Sequence, residues 1–380
     1  MQRRLTTHNQ EGFSLIEMMI AVTVMVIAVG AVVSLMRSSL MIATASYEMT
    51  DAQESLRTAQ EYINRDLMNA GDGLKSISTI RLPQTFVNNY LTLAPIVDAD
   101  MPVGTINLGI LTTDNNVPSG TAVVGSNPAT TVRFSPGPDN IVGTADDVRT
   151  DRQTILELDP DPTFQAIPLS AAPQSIDVTG TVITLPAGTV MTQFTAGEIY
   201  YVSSSLGGTF GTVTAVNAAT RQLTMANGGL DVYGLNLTGA SNNIKVISTN
   251  GTLPTSLQRM WIIHYYVNSS GFLMRRVFGA RCAPAPAVCA GFRESIIAEH
   301  VMNVQFNYSL DMTDAAGNVV QPVAMLSTKD QRLGIRAVEV TVTVETPHTL
   351  QNGLRSQLAM TTSTSVRNMQ FRRARQPVAP

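Results

Sequence analysis

The sequence predicts an α+β protein in which one long N-terminal helix packs on a mainly antiparallel β head carrying an inserted small β subdomain. Three observations predict it. The apolar run from Phe13 to Met36 is of membrane length and holds a single ionisable residue, Glu17. Leu56, Ala59, Ile63, Leu67 and Ala70 then recur at spacings of three and four, the period of an amphipathic helix. Beyond Gly71 the chain is rich in Thr, Ser, Val, Asn and Gly, set in short runs between turn residues, as in a many-stranded sheet.

Ahead of the apolar run stands a polar leader, residues 1–12, with Arg3, Arg4 and His8 and ending in Glu11-Gly12. Basic residues on this side favour a cytoplasmic N-terminus and export of the chain beyond the apolar run. The 24 residues from Phe13 to Met36 would span ~36 Å as a helix, enough for a hydrocarbon core of ~30 Å with some tilt. A charge inside such a span costs on the order of 2.5–3.5 kcal/mol even on lenient insertion scales, so Glu17 calls for a partner. A cleaved secretory signal and a plain signal anchor are the alternative readings of this segment; after Met36 the chain runs on through Arg37-Ser38-Ser39 into a helical pattern.

The helix continues past the membrane segment, with Glu54, Arg57, Glu61, Arg65 and Asp66 assigned to its wetter faces and Gly71-Asp72-Gly73 as its stop. From Phe13 to Asn69 it would be about 85 Å long. Gly30 is the weak helix former within the span; it marks either a point of local melting or a place of close helix packing.

Residues 71–160 read as an irregular part of the head with scattered strand-like pieces such as Thr131–Phe134. Within them, the turn from Gly137 to Asp147 clusters Asp139, Asn140, Asp146 and Asp147. These side chains could offer oxygens to calcium, although the spacing is not that of an EF-hand; a solvated turn with Asx-type hydrogen bonds is the other reading. No cofactor is required by anything else in the chain.

Residues 161–255 form the inserted β subdomain, with short strands expected at 178–185, 198–202, 211–216, 222–225 and 244–247. Tyr200-Tyr201 read as core and rim of one strand. Residues 256–370 form the C-terminal sheet: a hairpin of Trp261–Val267 and Phe272–Val277 around Asn268-Ser269-Ser270-Gly271, a segment from Ile296 to Tyr308, and a cleanly alternating strand from Ile335 to Val344. Residues 371–380 are a basic tail.

Cys282 and Cys289 bracket a loop of six residues. In an exported chain they lie in an oxidising space, where a disulfide closing the loop would contribute ~2.5 kcal/mol by chain entropy. Two cysteines lack the ligand count of a structural zinc site, and a redox pair would have two intervening residues.

Composition bounds the function. With 44% hydrophobic and 14% charged residues and a net charge of −3, neither a nucleic-acid-binding surface nor a charged disordered chain is indicated. His8, His264, His300 and His348 form no metalloprotease helix, and neither a P-loop nor a Gly-x-Ser-x-Gly elbow is present. The expectation is a protein that is not an enzyme.

Gly12 followed by Phe13-Ser14-Leu15-Ile16-Glu17 resembles the class III leader of type IV prepilins and type II secretion pseudopilins. The resemblance implies a pilin-like fold, cleavage by a prepilin peptidase between Gly12 and Phe13, N-methylation of Phe13, and an assembly role for Glu17 as fifth mature residue. Its carboxylate would pair with the N-terminal amine of a neighbouring subunit, which supplies the missing partner. Many major pilins carry a proline in the second half of the apolar segment; here that position is Ser34. The order of the C-terminal third, from the tyrosine-rich strand through Val301-Met302-Asn303-Val304-Gln305-Phe306-Asn307-Tyr308 and Arg336-Ala337-Val338-Glu339-Val340 to Thr364-Ser365-Val366-Arg367-Asn368, resembles PilW-family minor pilins and J-type minor pseudopilins. Implied partners are the prepilin peptidase, other minor and major pilins and the inner-membrane assembly platform. The implied location is the inner membrane with the head outside the cytoplasm, then a pilus or pseudopilus. Retention of Glu17 argues against the tip-most place in an initiating complex.

Overall fold

The computed structural model describes residues 14–72, 74, 80–91, 105–107, 109–117, 149–159, 165–225, 233–237, 239, 242–279, 292–312, 322–328, 331–332, 334–348 and 355–366. In chain order the elements are α1 (Leu15–Asn69), β1 (Ile80–Pro83), α2 (Gln84–Tyr90), β2 (Thr105–Asn107), β3 (Leu111–Val117), β4 (Thr150–Leu158), β5 (Ile167–Leu169), β6 (Val182–Thr184), β7 (Ile199–Ser204), β8 (Gly207–Asn217) and β9 (Gln222–Met225). Next come α3 (Asn243–Ile247), β10 (Thr255–Val267), β11 (Leu273–Phe278), β12 (Phe292–Ala298), β13 (Val301–Leu310), β14 (Ile335–Glu345) and β15 (Gln357–Ser365). The α+β class is as the sequence predicts.

The chain divides into two units, Met1–Asp51 with Thr346–Ser356, and Ala52–Glu345 with Gln357–Pro380. In the first, the helix from Leu15 exposes a run of large apolar side chains, Leu15, Ile16, Met18, Met19 and Ile20 among them. The helix is long and apolar enough to cross a membrane, and such a surface suits lipid better than water. Thr23 donates its hydroxyl to the Met19 carbonyl at 2.8 Å, and Thr44, Ser46 and Thr50 make similar backward bonds. The Thr23 bond hides a hydroxyl that lipid could not solvate. The helix runs unbroken through Gly30, where an added Cβ would meet nothing of this chain. In the same unit, Thr346 and Ser356 bond reciprocally, and His348 reaches Glu48 at 3.1 Å.

The second unit holds the core. Ala52, Leu56, Ala59, Ile63 and Leu67 are buried with Val338, Val340, Val342 and Val344, so the spacing of three and four marks the face that packs. The helix stops where expected: Gly71 adopts φ +76°, and its N–H donates to the Leu156 carbonyl at 2.7 Å. A Cβ there would collide with the Ile110 side chain. Asp66 departs from the expected wet face and is buried, because Tyr265 and Arg275 supply the hydrogen bonds that water would otherwise give it.

β10 organises the larger sheet. Its first part pairs with β5 and β7, its second part with β4 and β11, all antiparallel. β12 extends the sheet beyond β11, β3 pairs with β4, and β8, β1 and β2 continue it beyond β7. A separate antiparallel sheet consists of β13, β14 and β15. The hairpin at Asn268–Gly271 is present, with Val267 opposite Leu273. The segment from Ile296 to Tyr308, expected as one piece, is two strands broken at His300, which takes φ +56°.

Two further departures stand out. Residues 244–247, expected as a strand, are the helix α3. Asn242 caps it by accepting from the Lys245 N–H at 2.8 Å, and Ile244 and Ile247, three apart, enter the core. The part of the head read as irregular contributes β3 and the fully embedded β4. The expected β subdomain has a hydrophobic cluster of its own, including Leu169, Ile183, Val213, Leu223 and Ile244, yet β7 and β8 belong to the same sheet as β10. Alternation along β7 sends Tyr200 into that cluster and Tyr201 into the main core.

Candidate functional site at the start of the N-terminal helix

Ser14 is the cap of α1, its carbonyl accepting the first helical bond from the Met18 N–H at 3.2 Å. The Ser14 hydroxyl oxygen accepts from the N–H groups of Ile16 and Glu17 at 3.2 and 3.4 Å. Glu17 answers: its Oε2 accepts from the Ser14 N–H at 3.0 Å. The sequence Ser14-Leu15-Ile16-Glu17 thus closes a capping box, and the acid complements the positive end of the helix dipole. All the large neighbours of this turn, Leu15, Ile16 and Met18, are apolar and exposed.

The other predicted site residues fall elsewhere. Gly12 and Phe13 lie outside the described residues, as do Cys282 and Cys289 and the proposed calcium loop with Asp139, Asn140, Asp146 and Asp147. Among the described residues, no group of three or more His, Cys, Asp or Glu side chains could hold a metal ion.

The head carries buried polar chemistry that the sequence reading missed. On α1, Asp66 accepts from Tyr265 Oη at 2.7 Å and Arg275 Nε at 2.5 Å. Arg275 Nη2 also lies 3.8 Å from Glu157 on β4. Burial, then the Asp66 charge, pushes the Glu157 carboxyl up to about 8. Nearby, Arg259 bonds Asp159 at 2.5 Å and Glu198 at 3.0 Å, and Glu198 accepts from Tyr200 Oη at 2.8 Å. The opposite sheet face has its own set: Arg152 pairs with Asp114, Arg276 and Tyr266 both bond Glu294, and Thr154 bonds His264 Nδ1 at 2.9 Å. His264 is held well below the ordinary histidine range by burial and by Arg152 and Arg276, and so is neutral. Burial likewise raises Asp151 to about 6, although it accepts from the N–H groups of Asn116 and Phe306. Gln60 on α1 donates to the carbonyls of Val340 and Met360, and Asn64 accepts from the hydroxyls of Thr362 and Thr364.

A sequence signal for part of this existed. Tyr265-Tyr266 and Arg275-Arg276 sit on paired strands with Tyr265 opposite Arg275. Strand alternation must send one tyrosine and one arginine to each face, so each face needed an acid. Asp66 and Glu294 are those acids.

Residues 7–33 match the family model described as the prokaryotic N-terminal methylation motif. No curated protein and no solved structure shows a match to the chain. The motif supports a prepilin-like protein and fits a type IV pilin or pseudopilin, proteins that are structural and not enzymatic. It implies processing by a prepilin peptidase and assembly with other pilins, and the apolar helix behind it suggests a single-pass membrane anchor.

Proposed function

We propose that this chain is a minor pilin of PilW type that helps initiate a type IV pilus as part of a tip-proximal complex. The observation that carries the reading is the methylation motif over residues 7–33 with Glu17 as the lone acid of the apolar segment. Cleavage between Gly12 and Phe13 would be followed by methylation of Phe13. The helix would then wait in the inner membrane, with the head outside the cytoplasm, until the assembly platform draws it into contact with other minor and major pilins. Glu17 would pair there with a neighbour's N-terminal amine, since an ammonium offsets the cost of a carboxylate in lipid. The β head, with its C-terminal order of strands, supports PilW type and could contribute to adhesion or motility.

A minor pseudopilin of a type II secretion system shares the motif and the mechanism, and the genes beside this one distinguish the two. Glu17→Ala and Glu17→Gln should leave the protein processed and membrane-inserted while reducing its recovery in sheared filaments. Wild-type recovery of both would contradict the pairing mechanism and favour a signal-anchored binding protein or enzyme. The Cys282 to Cys289 disulfide is part of the same proposal, as is calcium at Asp139, Asn140, Asp146 and Asp147. Non-reducing peptide mapping of exported protein should find the cysteines joined; two free thiols would contradict it.

A further inference from the structure

A strand at the margin of a sheet shows a row of unpaired N–H and C=O groups, and proteins protect such margins with charge, proline, bulges, shortness or a covering segment. Among the described residues this chain uses most of these devices. β12 carries Arg293 and Glu294, β3 carries Asp114 and a register shift before Val117, and β2, β5 and β6 have three residues each. On β13 the side away from β14 is covered: Tyr308 and Val323 exchange backbone bonds of 2.8 and 3.0 Å, and the Phe306 N–H donates to Asp151 at 2.8 Å. β15 is the exception. From Gln357 to Ser365 it holds no charge, proline or glycine, keeps an unbroken register with β14, and is mostly exposed.

The Val366 N–H donates to the Arg336 carbonyl at 3.3 Å, which sets the phase of the ladder that runs back to Gln357. Bonded and outward residues alternate along an antiparallel pair, so Leu358, Met360, Thr362 and Thr364 bond β14, while Gln357, Ala359, Thr361 and Ser363 turn their backbone groups outward. On the side facing α1, Asn64 accepts from Thr364 at 2.7 Å and Gln60 donates to the Met360 carbonyl at 2.9 Å, yet the Met360 side chain is 37% exposed. Met68, one turn beyond Asn64 on α1, is 47% exposed. Backbone groups to pair and apolar side chains to cover thus lie along one edge. We propose that the free edge of β15 receives an extended strand from another protein, apolar at every second residue. Its backbone pairs with Ala359, Thr361 and Ser363, and its apolar side chains cover Met360 on the α1 side. A second copy of this chain fits less well, because it brings its own α1, bonded beneath β15 through Gln60 and Asn64, to the same side. The edge belongs to the head whether or not Gly12 is cleaved, and its strand-binding role goes beyond the pilin reading.

The test uses full-length protein in detergent and a synthetic peptide of the β14 sequence, Ala337–Glu345, which alternates valine with polar residues and pairs with the other side of β15 in the fold. In the protein alone, the amides of Ala359, Thr361 and Ser363 should exchange hydrogen faster than those of Met360 and Thr362. With peptide at about ten times its dissociation constant the outward three should slow roughly tenfold. A peptide carrying Val340→Pro and Val342→Pro should leave them unchanged. In the protein, Thr361→Pro removes an outward N–H, leaves the β14 ladder intact and should abolish the slowing. Ala359→Lys with Thr361→Lys, which keeps every donor but charges the edge, should weaken it, and serves in place of a proline variant that does not fold. Outward amides already slow in the protein alone, no slowing at millimolar peptide, or equal slowing in wild type and these variants would overturn the proposal. In cells, a photo-crosslinking amino acid in place of Ala359 should join residues two apart within one segment of a different protein, and Thr361→Pro should remove those links. Links to β15 of a second copy, or to residues 367–380 of this chain, would overturn it.

Discussion

Glu157 lies on β4 against Arg275, which already holds Asp66 at 2.5 Å. Burial, with the Asp66 charge beside it and Arg275 closer to Asp66 than to Glu157, leaves Glu157 holding its proton. Its folded pKa of about 8 stands above the ordinary 4.5. The folded state therefore binds a proton more tightly than the unfolded one, and the associated stability is fully present below pH 4.5 and lost as pH rises through 8. Asp151, raised from 3.8 to about 6, adds a smaller loss of the same sign over a lower window. Full-length protein in detergent should unfold at a higher temperature at pH 6.5 than at pH 8.5, with a difference in stability on the order of 2 kcal/mol; below pH 6.5 the buried, neutral His264 acts in the opposite sense. Glu157→Gln should flatten that slope, chiefly by raising stability at the alkaline end. A pH profile identical to wild type would show that Glu157 is ionised in the folded protein.

Among the elements, α1 was the most legible and its attachment the least. The apolar positions Leu56, Ala59, Ile63 and Leu67 declared the packing face through their spacing, and all are buried. Gln60, Asn64 and Asp66 sit among them as polar residues, and their partners lie about two hundred residues or more further along the chain, on β10, β11, β14 and β15. A periodicity sees neighbours on one helix, not partners brought by folding, so Asp66 reads as a solvent residue from its own segment. The same blindness hid β4, whose opening Thr150-Asp151-Arg152-Gln153-Thr154 looks like a polar loop and is buried because its polar side chains find partners in the fold. It also misread 244–247, where a β-branched run suggested a strand and the Asn242 cap with apolar residues three apart made a helix. If these polar contacts fasten α1 to the head, Asp66→Ala should destabilise the protein by about 3–5 kcal/mol, since Arg275 is left buried without its closest acid. Chemical denaturation of the full chain checks this. A loss under about 1 kcal/mol would mean that the apolar face alone carries the attachment.

At the scale of the molecule, the physics of α1 changes along its length: exposed apolar side chains in the part that begins at Leu15, buried ones between Ala52 and Leu67. A soluble enzyme has no use for a helix that exposes so much apolar surface at one end, and a simple anchor has no use for an acid within it. The leader, the motif over residues 7–33 and Glu17 account for both. That part of the account was legible from a dozen residues because the membrane permits few exceptions. The function of the head was less legible, because a β scaffold built from Thr, Ser and Val constrains its fold more than its partners. The central claim is most directly tested by the N-terminal mass of the protein isolated from cells that contain a prepilin peptidase. The account predicts a mature chain that begins at N-methylated Phe13. A chain cut beyond Met36, or one that keeps residues 1–12, would contradict it.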